Sequence, residues 1–117
     1  MITIINLTEH DVVIQTEDDR KVVIKPSGQV ARVSAEMHTI GTLEIDGIPV
    51  RVRKTVFGEV TGLPERKDET TVYVVSSLVA QARKERDDLF APDTAPDSAV
   101  RDEEKRIIAV RGLQVFS

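Results

Sequence analysis

The sequence predicts an α+β domain that is mainly β: an antiparallel β-sandwich, Ig-like or a partly open barrel, decorated by one main helix near residues 77–86. Three observations carry that expectation. Val and Ile dominate the apolar residues, and the aromatics are limited to Phe57, Tyr73, Phe90 and Phe116. Such β-branched side chains fit a pleated, half-buried surface. Short apolar stretches also recur at close spacing, divided by turns rich in Gly, Pro and Asp. Finally, a single segment carries a helical stripe. At 117 residues the chain reads as one domain, 1–117, without internal repeat or linker. A domain of this length buries about two-thirds of its unfolded surface, which needs only one modest core.

The elements follow in order. Residues 2–7, ITIINL, and 11–16, DVVIQT, read as strands around the turn TEHD. RKVVIK, 20–25, is a third, closed by the turn PSGQ, where Pro presets φ and Gly supplies a positive φ. VARVSAEM, 30–37, reads as a fourth strand. GTLEIDGIPVRVRKTV, 41–56, is a hairpin around Asp46-Gly47, the favoured type I′ pair. Ile48, Val50 and Val52 point one way in its second arm, and Arg51 and Arg53 the other. Residues 57–70 form a loop. TVYVV, 71–75, is a nearly continuous apolar strand and is expected to be central. Ser76 or Ser77 caps a helix that runs to about Arg86 with a stripe of Leu78, Val79 and Ala82. APDTAPDSAV, 91–100, is irregular because two Pro-Asp pairs break it. SAVRD, a charged turn EEKR and IIAVRG form a last hairpin before a short tail. The expected total is seven to nine strands.

Composition excludes several classes. There is no cysteine, so disulfides, thiolate metal sites and cysteine nucleophiles are out. Two histidines without metal-ligand spacing make a zinc site improbable. The chain shows no GxSxG, no P-loop and no GxGxxG. His10, beside Glu9 and Asp11, reads either as a hydrogen-bonded turn residue or as a general base with no nucleophile tied to it. The start MITIINLTEH lacks a basic n-region, and no stretch is long enough to span a membrane. A net charge of -4 argues against a general nucleic-acid binder. It leaves room for a local basic pocket.

The binding readings are more informative. Arg51 and Arg53 share one sheet face. They read either as solvated charges that discourage edge-to-edge aggregation or as a stripe of bidentate anion donors. Ser76 and Ser77 read as plain caps or as a phosphate site at a helix start. In RKERDDL, 83–89, Arg83 and Asp87, like Lys84 and Asp88, are spaced for ion pairs along a helix. Exposed pairs are worth only about 0–1 kcal/mol, so surface pairing alone does not explain this density of charge. AVRDEEKR, 99–106, repeats the theme, with Arg101 and Asp102 projecting to opposite faces of a strand. The two charged segments are expected to be opposite walls of a ligand pocket or of a subunit contact.

INLTEHDVVI, YVVSSLVAQA through RDDLFAPDT, and AVRDEEKRIIAVRGLQ together resemble a family of small bacteriophage and prophage proteins. Within it, the chain is similar to the phage anti-Thoeris sponges. That resemblance covers most of the chain. It implies a non-enzymatic protein of the infected bacterium's cytoplasm that sequesters a cyclic nucleotide immune signal without cleaving it. The signal would be a cyclic ADP-ribose isomer and, at separate sites in some members, cyclic oligonucleotides. It further implies a homodimer or higher homo-oligomer, with no cofactor, metal, nucleic acid or membrane as partner. Carried onto this sequence, Tyr73 or Phe90 would stack adenine. Arg101 and Asp102 would form the Arg-Asp pair of the site, and Arg51 and Arg53 a second phosphate clamp. The polar partner of the adenine would fall in KERDD, which contains Arg86 but no asparagine, a departure from the family pattern. Ser76 and Ser77 complete the expected set. The rival expectation is a small phage interaction module that inhibits a host protein. A nucleotide-processing enzyme comes third, for want of a nucleophile or metal set.

Overall fold

The computed structural model describes residues 2–117. Strand accounts for 46% of it and helix for 5%, as a mainly β domain with one short helix. One four-stranded sheet has the order β1-β6-β7-β10: β1 (Thr3–Asn6), β6 (Thr71–Val74), β7 (Leu89–Pro92) and β10 (Leu113–Gln114). A second has the order β3-β2-β9-β8: β3 (Lys21–Ile24), β2 (Val12–Gln15), β9 (Ile107–Val110) and β8 (Ala99–Arg101). The long strands β4 (Ala35–Ile45) and β5 (Ile48–Phe57) pair only with each other.

The antiparallel expectation fails at three pairings. β1 and β7 both run parallel to β6, and β2 runs parallel to β9. A parallel neighbour requires a crossover rather than a tight turn. This is why a β-rich chain contains a helix at this point: α1 (Ser77–Ala82) is the crossover between β6 and β7. β6 is central, as its apolar run predicts, and Tyr73 and Val74 are buried within it.

α1 is shorter than expected. It ends at Ala82, and Arg83 leaves the helical region at φ −122°, ψ 46°. Val79 and Ala80 are its buried residues, whereas Leu78 is 44% exposed. Beyond Ala82 every side chain up to Asp88 is charged, so no apolar face remains to pack. Short helices depend on such packing rather than on propensity. The chain instead turns and enters β7, where Leu89 and Ala91 are buried in alternation with half-buried Phe90 and Pro92. That strand overlaps the stretch read as irregular.

The segment read as a fourth strand is mostly irregular. Between Val30 and Ser34 the one ladder contact is an isolated bridge, in which Arg32 exchanges two 2.9 Å backbone hydrogen bonds with Thr61, and regular pairing begins only at Ala35. β4 starts at Ala35, and the Asp46-Gly47 turn has the two positive φ values (52° and 78°) that type I′ demands. Beside the Arg32–Thr61 bridge, Gly62 adopts φ +76°, and a Cβ there would run into the Val30 carbonyl. Gly62→Ala is therefore expected to cost about 1–3 kcal/mol, read as a lowered urea midpoint with unchanged slope.

The core gathers on the first sheet: Leu7, Ala31, Tyr73, Val75, Val79 and Leu89 pack together. β4 and β5 lie outside it as a projecting arm. Eleven residues of β4 span about 35 Å. The radius of gyration is 17.3 Å, against about 13 Å for a compact chain of this length.

Candidate functional site

β1 and β6 lie side by side and parallel, so their carboxyl ends, Asn6 and Val74, emerge together. In open sheets with parallel strands, that end is where ligands collect. Here the chain leaves β1 into Leu7–His10 and leaves β6 into the start of α1. With residues 30–33 they enclose a hollow of 290 Å³. Its floor is apolar, from Leu7, Val30, Ala31 and Val33. Its rim carries Thr8, Glu9, His10, Arg32 and Ser76.

Asn6 sets the shape of this rim. It is 1% exposed and its side chain is fully engaged. Nδ2 donates to the His10 and Ile24 carbonyls, 2.9 Å each, and Oδ1 accepts from Thr8 N at 2.8 Å. Thr8 Oγ1 lies 2.7 Å from Asn6 Oδ1 and 3.0 Å from the His10 carbonyl, and donates to one at a time. The Asn6 carbonyl accepts from both N (3.0 Å) and Oγ (2.7 Å) of Ser27. One buried amide thus folds the Leu7–His10 loop and ties the end of β3 to β1.

Arg32 pairs with Glu9 across the rim, with both side chains at least half exposed. Hydrogen bonding to the guanidinium, reinforced by its charge, holds the Glu9 carboxyl below the usual carboxylate range. An exposed pair of this kind is weak because solvent screens it, so an incoming anion can replace Glu9 on Arg32. Ser76 caps α1 by accepting from Val79 N at 3.3 Å. Its hydroxyl proton is left to donate. The rim therefore offers a cation and hydroxyl donors for phosphate, and carboxylate and imidazole for sugar hydroxyls or a base.

The residues expected from the sequence are dispersed. Ser76 lines the hollow, and Ser77 is the first residue of α1. Tyr73 is 3% exposed and belongs to the core, so it presents no face to a base. Phe90 is half-buried on β7. Arg86 turns inward. Its Nε and Nη2 each donate over 2.8 Å to the two oxygens of Asp88, and Nη1 donates to the Pro64 carbonyl at 3.1 Å. Arg51 and Arg53 stand exposed on the arm, opposite Thr42 and Thr39. Arg101 donates to the Lys105 carbonyl at 2.6 Å. Asp102 accepts from Glu104 N and Arg106 N at 2.9 and 3.0 Å, which builds the β8–β9 turn. Among the described residues no hydrogen bond or ion pair joins 83–88, which lead into β7 of the first sheet, to 101–106, which link β8 to β9 of the second.

The hollow's own residues were partly legible. N-L-T after a strand is an Asx-turn signal, and it marks Asn6 and Thr8. Arg32 carries no such signal, because its partner Glu9 lies 23 residues away. Among the described residues no group of three or more His, Asp or Glu side chains is placed to hold a metal ion, and no helix is long and apolar enough to cross a membrane. No family model, curated protein or solved structure matches the chain.

Proposed function

We propose that the protein binds a small phosphate-bearing nucleotide of the cyclic ADP-ribose type and holds it without cleavage. It would act as a phage anti-defence sponge in the cytoplasm of an infected bacterium. One observation supports this reading most: a 290 Å³ hollow at the carboxyl ends of two parallel strands, with Arg32 held on its rim only by a displaceable carboxylate. That volume lies at the lower end of small-molecule sites. It admits one nucleoside portion of a larger ligand and leaves the phosphates at the rim beside Arg32. In this reading the two four-stranded sheets are leaves of an open sandwich, tied where Asn6 bonds to Ile24 and Ser27.

Titration calorimetry of the pure protein with cyclic ADP-ribose isomers and cyclic di- and trinucleotides tests the proposal. Micromolar binding of at least one is expected, and its absence across the panel rejects the sponge. Arg32→Ala is expected to weaken that ligand about 10- to 100-fold, the scale of a lost charge-assisted hydrogen bond. The ligand should be recovered unaltered by chromatography after heat denaturation, and altered ligand would mean turnover. The rival reading, a module that inhibits a host protein, draws support from the exposed apolar arm. It predicts specific capture of a host protein with no nucleotide in the eluate.

A further inference from the structure

The arm formed by β4 and β5 has no partner within the chain, and one of its faces is apolar. Cross-strand neighbours share a face, so the register assigns Ile45 with Ile48, Leu43 with Val50, and Gly41 with Val52 to that side. Ile40 joins them at the bulge between Thr39 and Gly41. These side chains are far from buried: Ile40 and Ile48 are 63% exposed and Leu43 60%. A two-stranded ribbon with both faces in water is marginal at best. Together the exposed side chains present about 500 Å² of contiguous apolar surface, the size of patch that on a monomer often marks an interaction site.

We infer that this face docks on the same face of a second copy, with the arms antiparallel. Three features point to that occupant. Area is the first: two such patches buried together remove about 1,000 Å², the lower bound expected of a biological interface. Shape is the second. Gly41 has no side chain, and around it Ile40, Leu43 and Val52 outline a hollow of 230 Å³. A two-fold axis lying between the faces, across the strands at the Leu43–Val50 pair, sets Ile48 over the partner's Val52. Both positions are two residues from Val50, so the tip of each arm enters the hollow of the other. Charge is the third. Asp46 at the tip and Lys54 toward the base are each four residues from Val50, on opposite sides of it. The same axis brings Asp46 to the partner's Lys54. Neither makes an ion pair among the described residues. The alternative axis, along the strands, would stack tip on tip, with Asp46 beside Asp46, and would set Lys54 over the partner's His38 rather than over an acid. An interface that is complementary to itself in this way is the signature of a two-fold dimer. The contact is independent of any ligand in the hollow at the end of β1.

The test is the mass of the full chain without nucleotide, by sedimentation equilibrium from 1 to 100 μM, with three variants. The wild type should be a dimer. Leu43→Asp should be a monomer with the same near-ultraviolet dichroism, because residue 43 touches no part of the core. Lys54→Glu should raise the dimer dissociation constant at least tenfold by facing Asp46 of the partner. Asp46→Asn in the same chain should recover most of that loss, a rescue that damage to the arm's own fold would not produce. A wild type that stays monomeric at 100 μM overturns the inference, including one that captures a host protein through the arm. A dimer indifferent to Leu43→Asp overturns it too, as does a Lys54→Glu defect that Asp46→Asn does not relieve.

Discussion

Arg86→Met is expected to cost about 3–5 kcal/mol at pH 7, the range for breaking a buried ion pair from one side. Asp88 is 3% exposed, and Arg86 is its side-chain partner. Hydrogen bonding to Arg86 holds the Asp88 carboxyl below its ordinary value despite the opposing effect of burial. A depressed folded value means that this contribution is complete above the unfolded carboxylate range and is lost as pH falls through the folded value. In the variant, burial is the largest remaining influence, ahead of the Asp88 backbone hydrogen bond and the Arg66 charge, and raises the Asp88 carboxyl, so the sign reverses. Stability of Arg86→Met should rise as pH is lowered from 7 toward 4, where wild-type stability holds or falls. Urea unfolding at a series of pH values reads both slopes. Parallel slopes would show that Asp88 does not depend on Arg86. Asp88→Asn added to Arg86→Met should remove the rise toward low pH and recover part of the loss.

Asn6→Asp should be nearly as damaging, at about 3 kcal/mol. The substitution preserves shape but replaces two donors with an oxygen that faces the carbonyls of His10 and Ile24. Those carbonyls lose their partner, and the new carboxylate is buried against like partial charges. Its folded value is raised. The loss should therefore shrink as pH falls, because a protonated carboxyl can donate one of the two missing bonds. Calorimetric unfolding at pH 5 and pH 7.5 reads the difference. The same variant should lose ligand affinity, because the Leu7–His10 loop shapes the hollow. Full affinity in a destabilised Asn6→Asp would separate that loop from the site.

These two residues mark what could be read from the sequence. Local chemistry was legible: Asp46-Gly47 specifies its turn, Ser76 its cap, and the Tyr73–Val75 run a central strand. Non-local pairing was not. Alternation within ITIINL fits a parallel neighbour as well as an antiparallel one, and nothing near Thr3 points to Thr71. The charge knot at 83–88 was read as a wall of a ligand pocket or of a subunit contact, because surface pairing did not explain it. Its centre is a buried bidentate bond, which helical spacing cannot reveal because Arg86 and Asp88 are only two residues apart. Arg101 and Asp102 look like ligand donors in sequence, and their hydrogen bonds go to their own turn. The arm was read as an ordinary hairpin, because its pattern of alternation does not say whether a core lies beneath it.

The parallel alignment of β1 with β6 has a consequence for how the chain comes to be folded. Strand pairings distant in sequence form slowly, because the intervening loop must close before any contact repays it. The β4–β5 ribbon closes through a two-residue turn and needs only microseconds. On a ribosome, β1 is synthesised well before β6, its partner, which pairs only after Thr71–Val74 has emerged, and α1 and β7 must follow to cover the far side of β6. The earlier of the two strands is thus among the last to be placed. Until then Ile5 and Leu7 wait uncovered beside a completed arm whose apolar face is also open. That interval is when the chain is most exposed to aggregation.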